Sequence, residues 1–180
     1  MDLYTINNEY IDYLKQFDKR VYDNKAFTEN KGRKYVGIIF QDDERVQLFI
    51  PLSSKKTSDY INGKIRRDTL TIIRLNNGNH LYGTLRISNM IPVPNFEIEK
   101  YDIDNEEDQK YKDLLLNELK AINRKKEQIR KSANTVYKQK NKGLDKSYLK
   151  NTVDFQLLIV KYYEYMTMKF NEYYEKNKKA

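Results

Sequence analysis

The apolar residues of this chain change their spacing near residue 96, from short β-branched and aromatic runs before it to a helical period after it. Strands gathered in one half and helices in the other specify an α+β fold: one domain over residues 1–180, β-rich to about 96 and mainly helical afterwards. Leu3–Ile6 predicts a short strand, and Asn7 or Asn8 can cap a helix carrying Tyr10, Ile11, Tyr13, Leu14 and Phe17 at helical spacing. Residues 35–40 and 46–50 give a hairpin signal around the polar QDDER segment. A second hairpin pairs 69–75 with 80–87 across NNGN, where Asn and Gly supply the positive φ of a tight turn. Between these hairpins, residues 53–68 carry no convincing strand pattern.

MIPVP at 90–94 holds two of the three prolines and predicts an extended edge or crossover segment, since proline cannot donate to a ladder. Beyond it, Tyr111, Leu114, Leu115, Leu119 and Ile122 lie along one helical face, and residues 155–168 carry a second apolar-aromatic helix pattern. The acidic run Asp102, Asp104, Glu106, Glu107 and Asp108 falls at a helix start, where carboxylates complement the dipole; it is read as capping, not as a metal site. The terminal KNKKA has the look of a frayed, solvated tail.

Composition narrows the chemistry. Cysteine is absent and His80, beside the NNGN turn, is the one histidine. Disulfides, thiol nucleophiles, Cys/His zinc sites and paired-histidine ribonuclease chemistry are thereby excluded, and no metal or cofactor is expected. The opening MDLYTINNEYIDYL has no basic, apolar leader pattern, and no run approaches the ~18 apolar residues of a membrane span. A soluble, cytoplasmic protein without a membrane partner is expected.

With 34 Lys+Arg against 26 Asp+Glu, the net charge of +8 favours a polyanionic partner, nucleic acid first. The cations are concentrated: residues 120–150 hold eleven of them against Glu127 and Asp145, a local charge of +9. Lys120, Arg124, Lys125, Lys126, Arg130, Lys131, Lys138, Lys140, Lys142 and Lys146 are candidate phosphate contacts, with Tyr137 and Tyr148 as candidate stacking surfaces for RNA bases. A solvated helix face is the competing reading of the same segment.

IPLSSKK at 50–56 follows a predicted strand and sets two hydroxyls, Ser53 and Ser54, beside two amines, Lys55 and Lys56. Around it the chain resembles the ToxN/AbiQ family of type III toxin–antitoxin endoribonucleases. LYTINNEYIDYLKQFDKRV, RKYVGIIF, FIPLSSKK, GTLRISNMIPVP and DFQLLIVKYYEY occur in the family's order, from residue 3 to about 165. The resemblance implies a compact, strongly twisted antiparallel sheet similar to the Kid/MazF toxins, with packed helices. It also implies sequence-selective cleavage of cellular and phage RNA, restraint by a repeat-containing antitoxin RNA, and closed rings of alternating protein and RNA.

Carried over residue by residue, the family's hydroxyl pair falls on Ser53 and Ser54, its following lysine on Lys56, and its basic residue before the aromatic-x-Gly strand on Arg33. Lys55 stands where relatives often have proline, and relatives differ at Arg33–Lys34. The choices between Lys55 and Lys56, and between Arg33 and Lys34, therefore stay open. The implied chemistry needs no protein nucleophile, because RNA supplies its own 2′-hydroxyl and leaves a 2′,3′-cyclic phosphate and a 5′-hydroxyl. The protein must place the phosphate in line, stabilise its charge and move a proton. Arg33 and Lys56 suit the charge role, Ser54 and Ser53 the placement, and a lysine depressed by neighbouring cations the base. Tyr35 is a secondary candidate for stacking or proton relay, with core packing as the alternative.

Overall fold

The computed structural model describes residues 1–24, 32–40 and 43–178; Gln41 and Asp42 of the expected charged turn lie outside them. The first strand, β1, spans Leu3–Ile6, and the Asn7 side chain accepts the Glu9 amide at 3.0 Å to start α1, Asn8–Phe17. Tyr10, Ile11 and Leu14 form the buried stripe of α1, while Phe17 stays exposed at its end. Strands β2 (Tyr35–Phe40) and β3 (Asp43–Ser54) pair antiparallel with Val36 opposite Ile50. The segment between β3 and the next hairpin is more ordered than its sequence suggests. A 3-10 turn at Thr57–Asp59 leads into β4 (Tyr60–Ile61) and β5 (Lys64–Ile65), which pair across Asn62 and Gly63, both at positive φ.

The second expected hairpin is present as β6 (Ile72–Asn77) and β7 (His80–Arg86), with Gly78 at φ 53 in its turn. The proline-containing segment supplies β8 (Ile91–Pro92) against β3, and β9 (Ile98–Lys100) closes the other edge on β1. Among the described residues the main antiparallel sheet runs β6-β7-β3-β2-β1-β9, with β8 beside β3.

Helices fill the second half. Asp108 caps α2 (Gln109–Arg124) by accepting the Tyr111 amide at 3.1 Å, as the acidic run predicts. The buried stripe of α2 is Leu115, Glu118, Ala121 and Ile122, which differs from the expected one by a partial rotation that leaves Leu114 and Leu119 half-buried. Then come α3 (Lys126–Asn141), α4 (Ser147–Lys150) and α5 (Phe155–Lys178). Helix α5 is longer than its apolar pattern. Phe155, Leu158, Tyr162 and Tyr165 attach it to the body, and the remainder continues as a largely exposed helix to Lys178, within the region expected to fray. Tyr165 meets Tyr10 edge-on at 4.9 Å, and the Tyr10 hydroxyl donates to the Pro92 carbonyl at 2.7 Å, so α5, α1 and β8 share one contact. No helix among the described residues is long and apolar enough to cross a membrane.

Candidate active site

Ser53 and Ser54 lie within β3, not in a loop beyond it. They pair with Thr84 and Gly83 of β7, and the Leu52 amide donates to the Lys34 carbonyl at 2.9 Å on the opposite edge. Directly opposed residues of an antiparallel ladder share a face, and faces alternate along a strand. The register therefore sorts the candidates. Lys34, Leu52 and Ser54 share the face of Gly83; Arg33 and Ser53 share the face of Thr84. Helix α2 identifies the first face, because a Cβ on Gly83 would collide with Glu118 Oε1.

The two basic candidates before β2 thus have different surroundings. The Arg33 guanidinium donates to the Leu52 carbonyl at 2.6 Å and the Asp23 carbonyl at 3.0 Å and lies 4.8 Å over the Tyr22 ring. Lys34 is 4% exposed; its ammonium donates to the Gly32 carbonyl at 2.8 Å and sits 4.0 Å from the Tyr101 ring centroid and 5.8 Å from that of Tyr111. Lys34, not Arg33, is the cation on the face of Ser54. Burial pushes the Tyr111 hydroxyl up to about 12, so beside the lysine it is a neutral ring and hydrogen-bonding group.

Lys55 and Lys56 are exposed beyond the strand end. The Lys56 backbone is held by Asp59, whose carboxylate accepts its amide at 3.0 Å and whose own amide donates to the Lys56 carbonyl at 2.9 Å. Asp59 is 1% exposed and is met by Arg74 at 3.3 Å and Arg86 at 3.7 Å, a buried network unforeseen in the sequence. Two buried cations on one carboxylate fix the turn that carries the lysines. Tyr35 cannot stack on a base. It is 1% exposed, burial raises its hydroxyl above the ordinary range, and that hydroxyl bonds Asn24 Oδ1 at 3.1 Å. His80 is exposed beside its turn, with its ring against Tyr82.

The basic segment divides into structural and exposed cations. Lys125 donates to Asp68 at 2.8 Å and the Arg74 carbonyl at 2.7 Å, pinning the α2–α3 junction to β6; Arg124 bonds the Asn76 carbonyl and Lys140 the Leu149 carbonyl. Lys126 is half-buried, whereas Lys120, Arg130, Lys131, Lys138, Lys142 and Lys146 are exposed. Tyr137 and Tyr148, the candidate stacking residues, are each partly buried. Tyr137 packs on Phe155 at 5.3 Å, Tyr148 hydrogen-bonds Gln139, and both rings lie against the core.

Glu118 was missed in the sequence, although it falls three residues after Leu115 and four before Ile122 on the buried stripe of α2. Its carboxyl makes no hydrogen bond or ion pair among the described residues, and burial pushes it up from 4.5 to about 7.

A family model, toxin ToxN of the type III toxin–antitoxin system, matches residues 2–164. The chain belongs to that family. It is 32% identical over 162 residues to the endoribonuclease AbiQ of Lactococcus lactis subsp. lactis, covering 88% of this chain and 85% of AbiQ. To the endoribonuclease ToxN of Pectobacterium atrosepticum it is 27% identical over 168 residues, 92% of this chain and 94% of that protein. A solved structure concerned with selective toxin inhibition by a non-coding RNA pseudoknot in bacterial type III systems superposes with a TM-score of 0.76. The sequence identity is 28%, over 92% of this chain and 97% of that one. As a ToxN-family member the chain is an endoribonuclease, and its antiparallel sheet with a helical C-terminal half is the family's fold.

The Glu118 carboxyl also sets a pH dependence of stability. Its folded-state pKa lies above the unfolded value, so the folded chain binds more protons between 4.5 and about 7 and loses stability as pH rises through that window. The loss is on the order of 3 kcal/mol. Urea unfolding should show Glu118→Gln gaining on the parent chain from pH 5 to pH 8; a constant difference would contradict the burial of an ionising carboxyl.

Proposed function

We propose that this chain is the toxin of a type III toxin–antitoxin, phage-abortive system that cleaves RNA sequence-selectively without a metal, acting in the cytoplasm as one domain. It also processes the repeat-containing antitoxin RNA that inhibits it, in a closed protein–RNA assembly. The observation that carries the site reading is the register that sets Lys34 and Ser54 on one sheet face, with Lys55 and Lys56 at the open strand end.

The 2′-hydroxyl attacks the adjacent phosphorus, the 5′-oxygen leaves, and 2′,3′-cyclic phosphate and 5′-hydroxyl ends result. Ser54 hydrogen-bonds the reacting group, and Lys34 supplies positive charge from a low-dielectric position, where a fixed charge acts more strongly than in water. Lys56 and Lys55 hold the flanking RNA backbone. Arg33 braces the end of β3 through the Leu52 carbonyl. The exposed cations of residues 120–150 hold the folded antitoxin.

Cleavage in excess EDTA should proceed at the untreated rate and leave cyclic phosphate ends, detected by resistance to direct 3′-end ligation. Abolition by the chelator and recovery with Mg²⁺ would sink the mechanism. Ser54→Ala should lower cleavage by about 100-fold or more while still binding antitoxin RNA; wild-type toxicity from that variant would overturn the site. Replacing the exposed Lys131, Lys142 and Lys146 by Gln should weaken antitoxin binding and flatten its salt dependence by roughly one unit of log–log slope per lost contact. An unchanged slope would make that surface mere solvation.

A further inference from the structure

Glu118 has no place in the chemistry above, yet it is a buried carboxyl on the face of Ser54. It is 6% exposed, and a Cβ added to residue 83 would collide with its Oε1 and lie 3.1 Å from the Ser53 carbonyl oxygen. Gly83 is the direct cross-strand partner of Ser54. Side chains of such a pair ordinarily start about 4.5–5.5 Å apart on one face. The Glu118 carboxyl therefore occupies the place of the side chain that residue 83 lacks, on the face of Ser54. A glycine at 83 is what allows it there.

An unpartnered buried carboxyl costs free energy, and a structural role would call for a partner. We propose that Glu118 is a positioning residue of the cleavage site, acting through Ser54: ionised, it accepts the Ser54 hydroxyl proton and turns the Ser54 oxygen toward the RNA 2′-hydroxyl. This rests on the assignment of Ser54 to the site. In the reaction the 2′-oxygen–phosphorus bond forms as the phosphorus–5′-oxygen bond breaks. The 2′-hydroxyl proton passes to Ser54 Oγ, the Ser54 proton passes to Glu118, and the departing 5′-oxygen takes a proton from water. Glu118 later returns its proton to solvent.

The groups around Glu118 are consistent with one ionising centre. Tyr111 lies on its own helix, and Lys34 bears on Tyr111 and Tyr101, with Glu106 bonded to the Tyr101 hydroxyl. Strands β6 and β7 turn Ile73, Leu75 and Leu85 to the same face. At the α2–α3 junction Lys125 is paired with Asp68.

Single-turnover cleavage of a short RNA from pH 5 to pH 9, with antitoxin affinity and thermal melting measured alongside, tests this. The parent rate should rise to a plateau through an inflection near pH 7, the value to which burial pushes the carboxyl. Glu118→Gln should lower the rate by about 10²-fold and abolish the acid limb, with RNA affinity within about twofold and melting not reduced. Glu118→Asp should keep an acid limb at a reduced rate. A Glu118→Gln enzyme that keeps both the parent rate and the limb overturns the proposal. Ser54→Ala separates the two levels: if it cleaves normally, the site assignment falls; if it is inactive while Glu118→Gln is normal, only the role of Glu118 falls.

Discussion

Strand β3 is hydrogen-bonded on both edges along its second half, and the rest of the structure hangs from that pairing. Gln47 to Pro51 pair with β2, Leu48 and Phe49 also meet β8, and Leu52 to Ser54 pair with β7. A strand held in this way has no freedom of register, because a slip of one residue would exchange its two faces. Leu48, Ile50 and Leu52 would then leave the core along with the placement of Ser54. Core stability and site geometry are the same constraint here. The hydroxyl pair is placed by apolar residues preceding it on its own strand.

Charges buried near this strand are arranged with similar economy. Asp59 joins the backbone of Lys56 to Arg74 and Arg86, and so ties the strand end to the β6–β7 hairpin. Lys34 is placed against aromatic rings whose electron-rich faces offset part of its desolvation. Glu118 has no such compensation. Removing Asp59 would leave Arg74 and Arg86 without their shared counter-charge, whereas neutralising Glu118 relieves a cost. The first arrangement is architectural; the second lowers stability as the carboxyl ionises.

Much of this was legible in the sequence because local signals agreed with the tertiary outcome. Leu3–Ile6, the Asn7 cap, the NNGN hairpin and the Asp108 cap each depend on neighbours within a few residues. The extension of β3 through Ser53 and Ser54 was not legible, since two serines and two lysines carry no strand propensity and are strand only because β7 lies beside them. Asn62–Gly63 was a readable turn signal, but its two-residue flanks are too short to show alternation. The choice between Arg33 and Lys34 depends on register across strands far apart in sequence. Tyr137 and Tyr148 look like stacking residues in a basic run until Phe155 and Gln139 claim them.

That reassignment alters how the basic segment can meet RNA. Helix α3 buries Ile129, Ser132, Ala133 and Val136, a single stripe at helical spacing, so its exposed lysines and arginines are presented from a fixed axis. With Tyr137 and Tyr148 partly buried against the core, the segment offers cations at set positions and rings that are only partly accessible. Such a surface discriminates by the spatial arrangement of phosphates, which a folded RNA holds constant and an unfolded strand does not. On the proposed reading, sequence discrimination belongs at the strand end, where Ser54, Lys55 and Lys56 are exposed. On that reading a folded inhibitor and a single-stranded substrate would be held by surfaces built on different elements, α3 and β3.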